Sequence, residues 1–161
     1  MTKVIFLSGG SGMVGRNIIN HNEAKNYKIL SPNSSNLNLL NYKELENFIY
    51  NNKPDMITHA AGTVGGIQAN IENPVKFFVE NIQMGINILT ASKALKVKNL
   101  INLSSSCIYP RYSDKPLSED QMLKGELEPT NEGYALAKIS LTKLCEYINR
   151  ENKFFSYKTI I

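Results

Sequence analysis

The apolar run Val4-Ile5-Phe6-Leu7-Ser8 leads without a break into glycines spaced Gly9-x-x-Gly12-x-x-Gly15. No other stretch narrows the possible folds as far. A buried strand that turns at once into a helix can use each glycine differently. Gly9 suits the tight turn, Gly12 lets backbone approach a ligand, and Gly15 lets the helix lie close on the strand. "GMVGRNIINHN" continues with apolar residues at helical spacing. A helix amino terminus offers free N–H groups and about half a positive charge, which suits a phosphate. Any tight strand-to-helix turn can use glycine. Placed after an amino-terminal strand, however, the triple reads as a dinucleotide loop of Gly9, Gly10, Ser11, Gly12, Met13, Val14 and Gly15.

The rest of the chain repeats that alternation. Strands are predicted at "YKIL" (27–30), "DMITHAAG" (55–62), "NLINLS" (99–104) and "FFSYKTII" (154–161). Helices are predicted at "NYKELENFIYNN", capped by Asn41, over Pro74 to about Leu95, and at "EGYALAKISLTKLCEYINR". Residues 110–131 carry Pro110, Pro116 and Pro129 among polar residues and read as a long loop. Such alternation predicts an α/β fold: a Rossmann-like, doubly wound parallel sheet with helices on both faces. Ligands then sit beyond the carboxyl ends of the strands, so the loops that matter are 9–15, 31–38, 60–70 and 104–112.

Composition excludes several classes. With 161 residues the chain is large enough for one domain with a core. No apolar run approaches the ~18–20 residues that cross a bilayer, and a cytoplasmic location is expected. Cys107 and Cys145 form no disulfide framework, and the isolated His21 and His59 give no metal spacing. The net charge of +4 comes from scattered lysines, so no nucleic-acid partner is expected. Where a dinucleotide fold reads the adenosine ribose, this chain has "SPNSSNLN", with neither acid nor arginine. Ser31, Asn33, Ser34 and Ser35 could bond a phosphate or a hydroxyl there, or form a plain turn. The missing acid leans toward NADP(H), with NAD(H) left open.

"YALAK" sets Tyr134 and Lys138 at i and i+4 on one helical face. A phenol with its usual pKa of ~10 transfers protons poorly near neutrality. A lysine charge ~4 Å away favours the phenolate by up to ~4 kcal/mol at an effective dielectric of ~20, or ~3 pKa units. The spacing alone is common on packed helices; what gives it weight is the glycine loop together with a strand that ends in serines. Cys145 falls on nearly the same stripe, ~16 Å further along, and reads as a core thiol. The strand exit "INLSSSCIYPR" gathers hydroxyls, a thiol, a phenol and a cation, more reactive chemistry than a plain loop needs.

Glycine loop, strand-end serine and Y-x-x-x-K together resemble the extended short-chain dehydrogenase/reductases. "AGTVGGIQAN", "SSSCIYPR" and "GELEPTNEGYALAKI" narrow the resemblance to the GDP-L-fucose synthase family, from Lys3 to Ile161. The resemblance implies a GDP-4-keto-6-deoxy-D-mannose substrate, epimerised at C3 and C5 and then reduced at C4 with NADPH. It implies that Ser105 bonds the 4-keto oxygen, Tyr134 donates the proton to C4 with Lys138 as partner, and Cys107 is the epimerisation base. Leu103, Ser104, Ser105 and Ser106 would pass the nicotinamide, and Lys138 would hold its ribose. It also implies a homodimer through the Pro74–Leu95 and Tyr134 helices.

The residues agree with that chemistry. A 4-ketone acidifies the C3 and C5 hydrogens, and inversion needs a base, an acid and donors to an enolate. A thiol titrates near 8.5 unless a cation lowers it. The plainer reading of Cys107 is a small buried residue. The family pattern continues past Ile161 into a cofactor-touching stretch, a histidine acid and a sugar-binding domain. Neither His21 nor His59 matches that acid. Residues 1–161 are therefore expected to form one NAD(P)-binding domain, incomplete at its carboxyl end, with a raw sheet edge and doubtful activity alone.

Overall fold

The computed structural model describes residues 2–161. Five parallel strands, β1 (Val4–Ser8), β2 (Lys28–Leu30), β3 (Met56–His59), β4 (Asn99–Leu103) and β5 (Ser156–Ile160), form one sheet in the order β2-β1-β3-β4-β5. The helices are α1 (Met13–Asn20), α2 (Tyr42–Asn52), α3 (Ile67–Glu72), α4 (Pro74–Ala94) and α5 (Glu132–Glu151). From β1 the chain steps outward through α1 to β2, then returns past β1 and continues the other way through β3, β4 and β5. Right-handed crossovers therefore put α1 on one face and α2, α4 and α5 on the other. The strand order reverses between β1 and β3, and a ligand crevice belongs there.

The main core lies between the sheet and α2, α4 and α5. Phe6, Ile57, Leu100 and Tyr157 sit side by side in register across β1, β3, β4 and β5. Leu45 and Ile49 of α2, Ile88 and Leu89 of α4, and Leu141, Cys145 and Ile148 of α5 join them in one buried cluster. A Cβ on Gly85 of α4 would lie 2.2 Å from the Leu141 side chain, so the bare backbone there sets how closely α4 and α5 approach. Cys145 is a core thiol, and burial pushes its pKa up to about 11.

Local signals explain the element ends. The Asn41 side chain accepts from the Lys43 and Glu44 N–H groups and so caps α2. Pro74 opens α4 at its first turn, where a missing N–H costs nothing. Segment 60–70 is not all loop. It holds α3, a six-residue helix too short to show a period. Its first turn is tied by the Asn70 side chain, which donates to the carbonyls of Gly65 and Gly66. The 110–131 segment is a loop carrying two short helical turns, Glu119–Gln121 and Pro129–Asn131. β5 is an edge strand among the described residues. The Asn149 amide meets it there, donating to the Tyr157 carbonyl at 2.7 Å and accepting from its N–H at 2.8 Å. No helix among the described residues is long and apolar enough to cross a membrane.

Candidate active site

Because all strands run parallel, the loops after β1, β2, β3 and β4 open on one edge of the sheet. A cleft of about 850 Å³ lies there, lined by residues from each of them. Its first wall is the glycine loop. Gly9 has φ +76°, the left-handed conformation that favours glycine, and the Gly12 N–H donates to the Gly9 carbonyl at 3.0 Å. A Cβ on Gly15 would lie 2.3 Å from the Gly9 oxygen, so α1 can start this close to the turn only with glycine at that point. Gly12 is different: its nearest neighbour to an added Cβ is the Gly9 oxygen at 3.3 Å, and the remaining space faces the cleft. The α1 amino terminus carries no side-chain cap and no acid in its first turn, so its positive end is uncompensated.

Gly9, Ser11, Gly12, Met13, Val14 and Gly15 line the cleft. Gly10 does not: it backs onto the Ser31 side chain. Ser31 faces inward too, its hydroxyl donating to the Leu7 carbonyl at 3.0 Å. Ser35 turns to Asn33, donating to the side-chain oxygen at 2.7 Å. Of the polar residues predicted in this loop, Asn33 and Ser34 are the ones that reach the cleft. The loop after β3 supplies further lining residues from the stretch "AGTVGGIQAN", among them Thr63 and Val64. Asn81 of α4 fixes that loop, accepting from the Thr63 N–H at 3.0 Å and donating to the Thr63 carbonyl at 2.9 Å. This clamp was missed in the sequence, since an asparagine within a helix carries no signal of a distant backbone partner.

The second wall comes from β4 and α5. Leu103, Ser104, Tyr134 and Lys138 line the cleft, and the Ser104 hydroxyl is buried there with no partner among the described residues. Lys138 is only 4% exposed. Its ammonium donates to the Leu103 carbonyl at 2.9 Å and lies 5.6 Å from the centre of the Tyr134 ring. Ser105, Ser106 and Cys107 stand in the turn just beyond, outside the cleft lining. The Ser105 hydroxyl nonetheless acts on both the Cys107 thiol and the Tyr134 phenol.

The electrostatics differ from the sequence expectation in sign. Burial raises the Cys107 thiol above its ordinary value, outweighing the Ser105 hydroxyl and the Lys138 charge, which lower it. Burial also raises Tyr134, helped by Cys107 and opposed by Ser105. The expected depression of the phenol by Lys138 is absent. The ammonium is engaged by a carbonyl and lies over the ring, and the same interior that brings the pair together penalises the phenolate. Lys138 itself is lowered by burial, with Cys107 opposing.

An open approach at Gly12, an uncompensated helix end and an orphaned Ser104 hydroxyl fit a bound dinucleotide. Residues 5–161 match the NAD dependent epimerase/dehydratase family. The chain belongs to that family. It is 57% identical over 157 residues to the GDP-L-colitose synthase of Yersinia pseudotuberculosis, covering 98% of this chain and 51% of that protein. It is 46% identical over 159 residues to the GDP-L-fucose synthase of Azorhizobium caulinodans, covering 99% and 51%. A solved GDP-L-fucose synthetase from Naegleria fowleri bound to NADP superposes with a TM-score of 0.88 at 25% identity, covering 99% of this chain and 49% of that one. The chain spans about half the length of the curated relatives it matches.

Proposed function

We propose that this chain carries the cofactor-binding and proton-transfer half of an NADPH-dependent epimerase/reductase acting on a 4-keto GDP-sugar. The favoured reaction is GDP-4-keto-6-deoxy-D-mannose to GDP-L-fucose. The observation that carries it is the grouping of Ser105, Cys107, Tyr134 and Lys138 at the end of β4, beside a cleft suited to a dinucleotide. The loop from Gly9 to Gly15 and the α1 terminus would hold the pyrophosphate. Leu103, Ser104 and Lys138 would hold the nicotinamide end. NADP(H), as in the Naegleria fowleri protein, is the favoured cofactor, and when bound it supplies the hydride.

In this reading Ser105 donates to the 4-keto oxygen and stabilises the enolate that forms when a neighbouring proton leaves. The Cys107 sulfur takes that proton as the base. The raised thiol is protonated at rest, so proton removal speeds up as pH rises toward the Cys107 pKa. Tyr134 stays a neutral phenol well past neutrality and gives its proton to the C4 oxygen. Lys138, its ammonium 5.6 Å from the ring centre, orients that phenol.

A second reading rests on the 57% identity to a GDP-L-colitose synthase. Colitose is fucose without its 3-hydroxyl group, so its C3 is not a stereocentre to invert. Turnover in D2O separates the readings. With the 3-hydroxylated keto sugar, the first reading expects deuterium at both C3 and C5 of the product. Turnover confined to the 3-deoxy substrate favours the second. Full exchange retained in a folded Cys107→Ser protein removes Cys107 from its role.

A further inference from the structure

The loop after β2 stands where a dinucleotide fold reads the adenosine ribose. Its backbone is tied down. Pro32 fixes the entry, and the Asn33 main-chain carbonyl accepts from the Asn36 and Leu37 N–H groups at 3.1 and 3.0 Å. The Asn33 side chain closes the same turn. Its Oδ1 accepts from the Ser35 hydroxyl at 2.7 Å and from the Asn36 N–H at 3.1 Å. A backbone N–H can only donate, so this contact fixes which end of the amide is oxygen. The nitrogen is the end left over. It makes no hydrogen bond among the described residues, and Asn33 lines the cleft. The cleft therefore meets Asn33 as a pinned, uncharged donor, with Ser34 beside it.

Charge in the cleft is placed elsewhere. Of the lining residues, Glu80 and Lys138 are the ones with ionised side chains. Lys138 belongs to the β4–α5 wall and donates to the Leu103 carbonyl at 2.9 Å. Glu80 lies against the loop after β3 and accepts from the Thr63 hydroxyl at 2.6 Å. Residues 31–38 contain no acid, lysine or arginine.

A carboxylate at this point accepts from the ribose hydroxyls and repels a 2′-phosphate, so it selects NADH. A guanidinium pairs with the phosphate and selects NADPH. An amide nitrogen does neither, because it can donate to a hydroxyl oxygen or to a phosphate oxygen. The phosphate, with roughly −1.5 to −2 charges, then meets neutral donors without the charge assistance that makes such bonds strong.

We propose that Asn33 sets this chain's choice between NADPH and NADH, and that its amide sets it near parity: both dinucleotides bind, with NADPH ahead by no more than about tenfold. The inference rests on the dinucleotide reading of the cleft.

The test is calorimetric titration of NADPH and of NADH into the purified chain, Asn33→Asp and Ser34→Arg, each checked for an unchanged unfolding temperature. Asn33→Asp alters one end of the side chain. One carboxylate oxygen can keep the bonds to Ser35 and Asn36, while the other puts negative charge where the donor stood. NADPH is expected to weaken at least about tenfold while NADH holds or tightens. Ser34→Arg adds a cation at the same edge of the cleft, and NADPH is expected to tighten about tenfold with NADH nearly unchanged. Ser34→Arg decides alone if Asn33→Asp does not fold. A parent chain that prefers either dinucleotide by more than about tenfold, or variants that move both dinucleotides by the same factor or move neither, overturns the proposal and leaves the dinucleotide site standing. A folded parent chain that binds neither overturns the dinucleotide reading, and this inference with it.

Discussion

The two walls of the cleft are built by different means. The glycine wall is backbone: its function rests on what is missing at Gly9, Gly12 and Gly15, and its only charge is the partial one at the start of α1. The β4–α5 wall is side chain: a buried ammonium, a phenol and the Ser104 hydroxyl, with the Cys107 thiol and the Ser105 hydroxyl in the turn just beyond. The first wall should tolerate changes of charge nearby but not of volume. The second should tolerate small changes of volume but not of chemistry.

Tyr134→Phe should break the second wall hardest. Removing one hydroxyl from a half-buried ring leaves the packing intact. Reduction should nonetheless fall about 10³-fold, within the range for a lost general acid. Steady-state rates beside an unchanged thermal unfolding curve would check it.

Gly15→Ala should do the reverse. The new methyl meets backbone at 2.3 Å rather than a flexible side chain, so the strand-to-helix turn must open. A stability loss of about 3 kcal/mol, as for an overpacked site, is expected in denaturant titration.

A third effect, absent at neutral pH, lies in the interior between the walls. Burial and the Lys138 charge hold His59 neutral with a pKa of about 3, against an ordinary 6.5 in the unfolded chain. Between those values the unfolded state binds the extra proton. Stability is therefore complete above about pH 6.5 and falls as pH drops toward 3, by at most roughly 1.4 kcal/mol per pH unit. His59→Gln should flatten that part of the stability profile, measured by urea unfolding from pH 7 to pH 4.

The same contrast explains what was legible in the sequence. Strand–helix alternation, the Asn41 cap and the roles of Gly9 and Gly15 follow from local rules, and the fold carries them as expected. The grouping of Ser105, Cys107, Tyr134 and Lys138 was also legible, through motif and resemblance. The sign of the charges was not. A Y-x-x-x-K spacing says that a lysine is near a tyrosine, but it cannot say that Lys138 is 4% exposed and bonded to Leu103. Desolvation is a property of the whole interior and leaves no local trace. The Asn81 clamp was hidden for a related reason, since it joins residues far apart in sequence.

The most direct measurement of the central claim, that this cleft is a dinucleotide site, is calorimetric titration of NADPH and NADH into the purified chain and its Gly12→Ala variant. NADPH is expected to bind. The variant should lose at least about tenfold in affinity while unfolding at the same temperature, because the new methyl occupies cleft space and not core. A folded chain that binds neither dinucleotide, or a Gly12→Ala variant that binds as well as the parent, would contradict it.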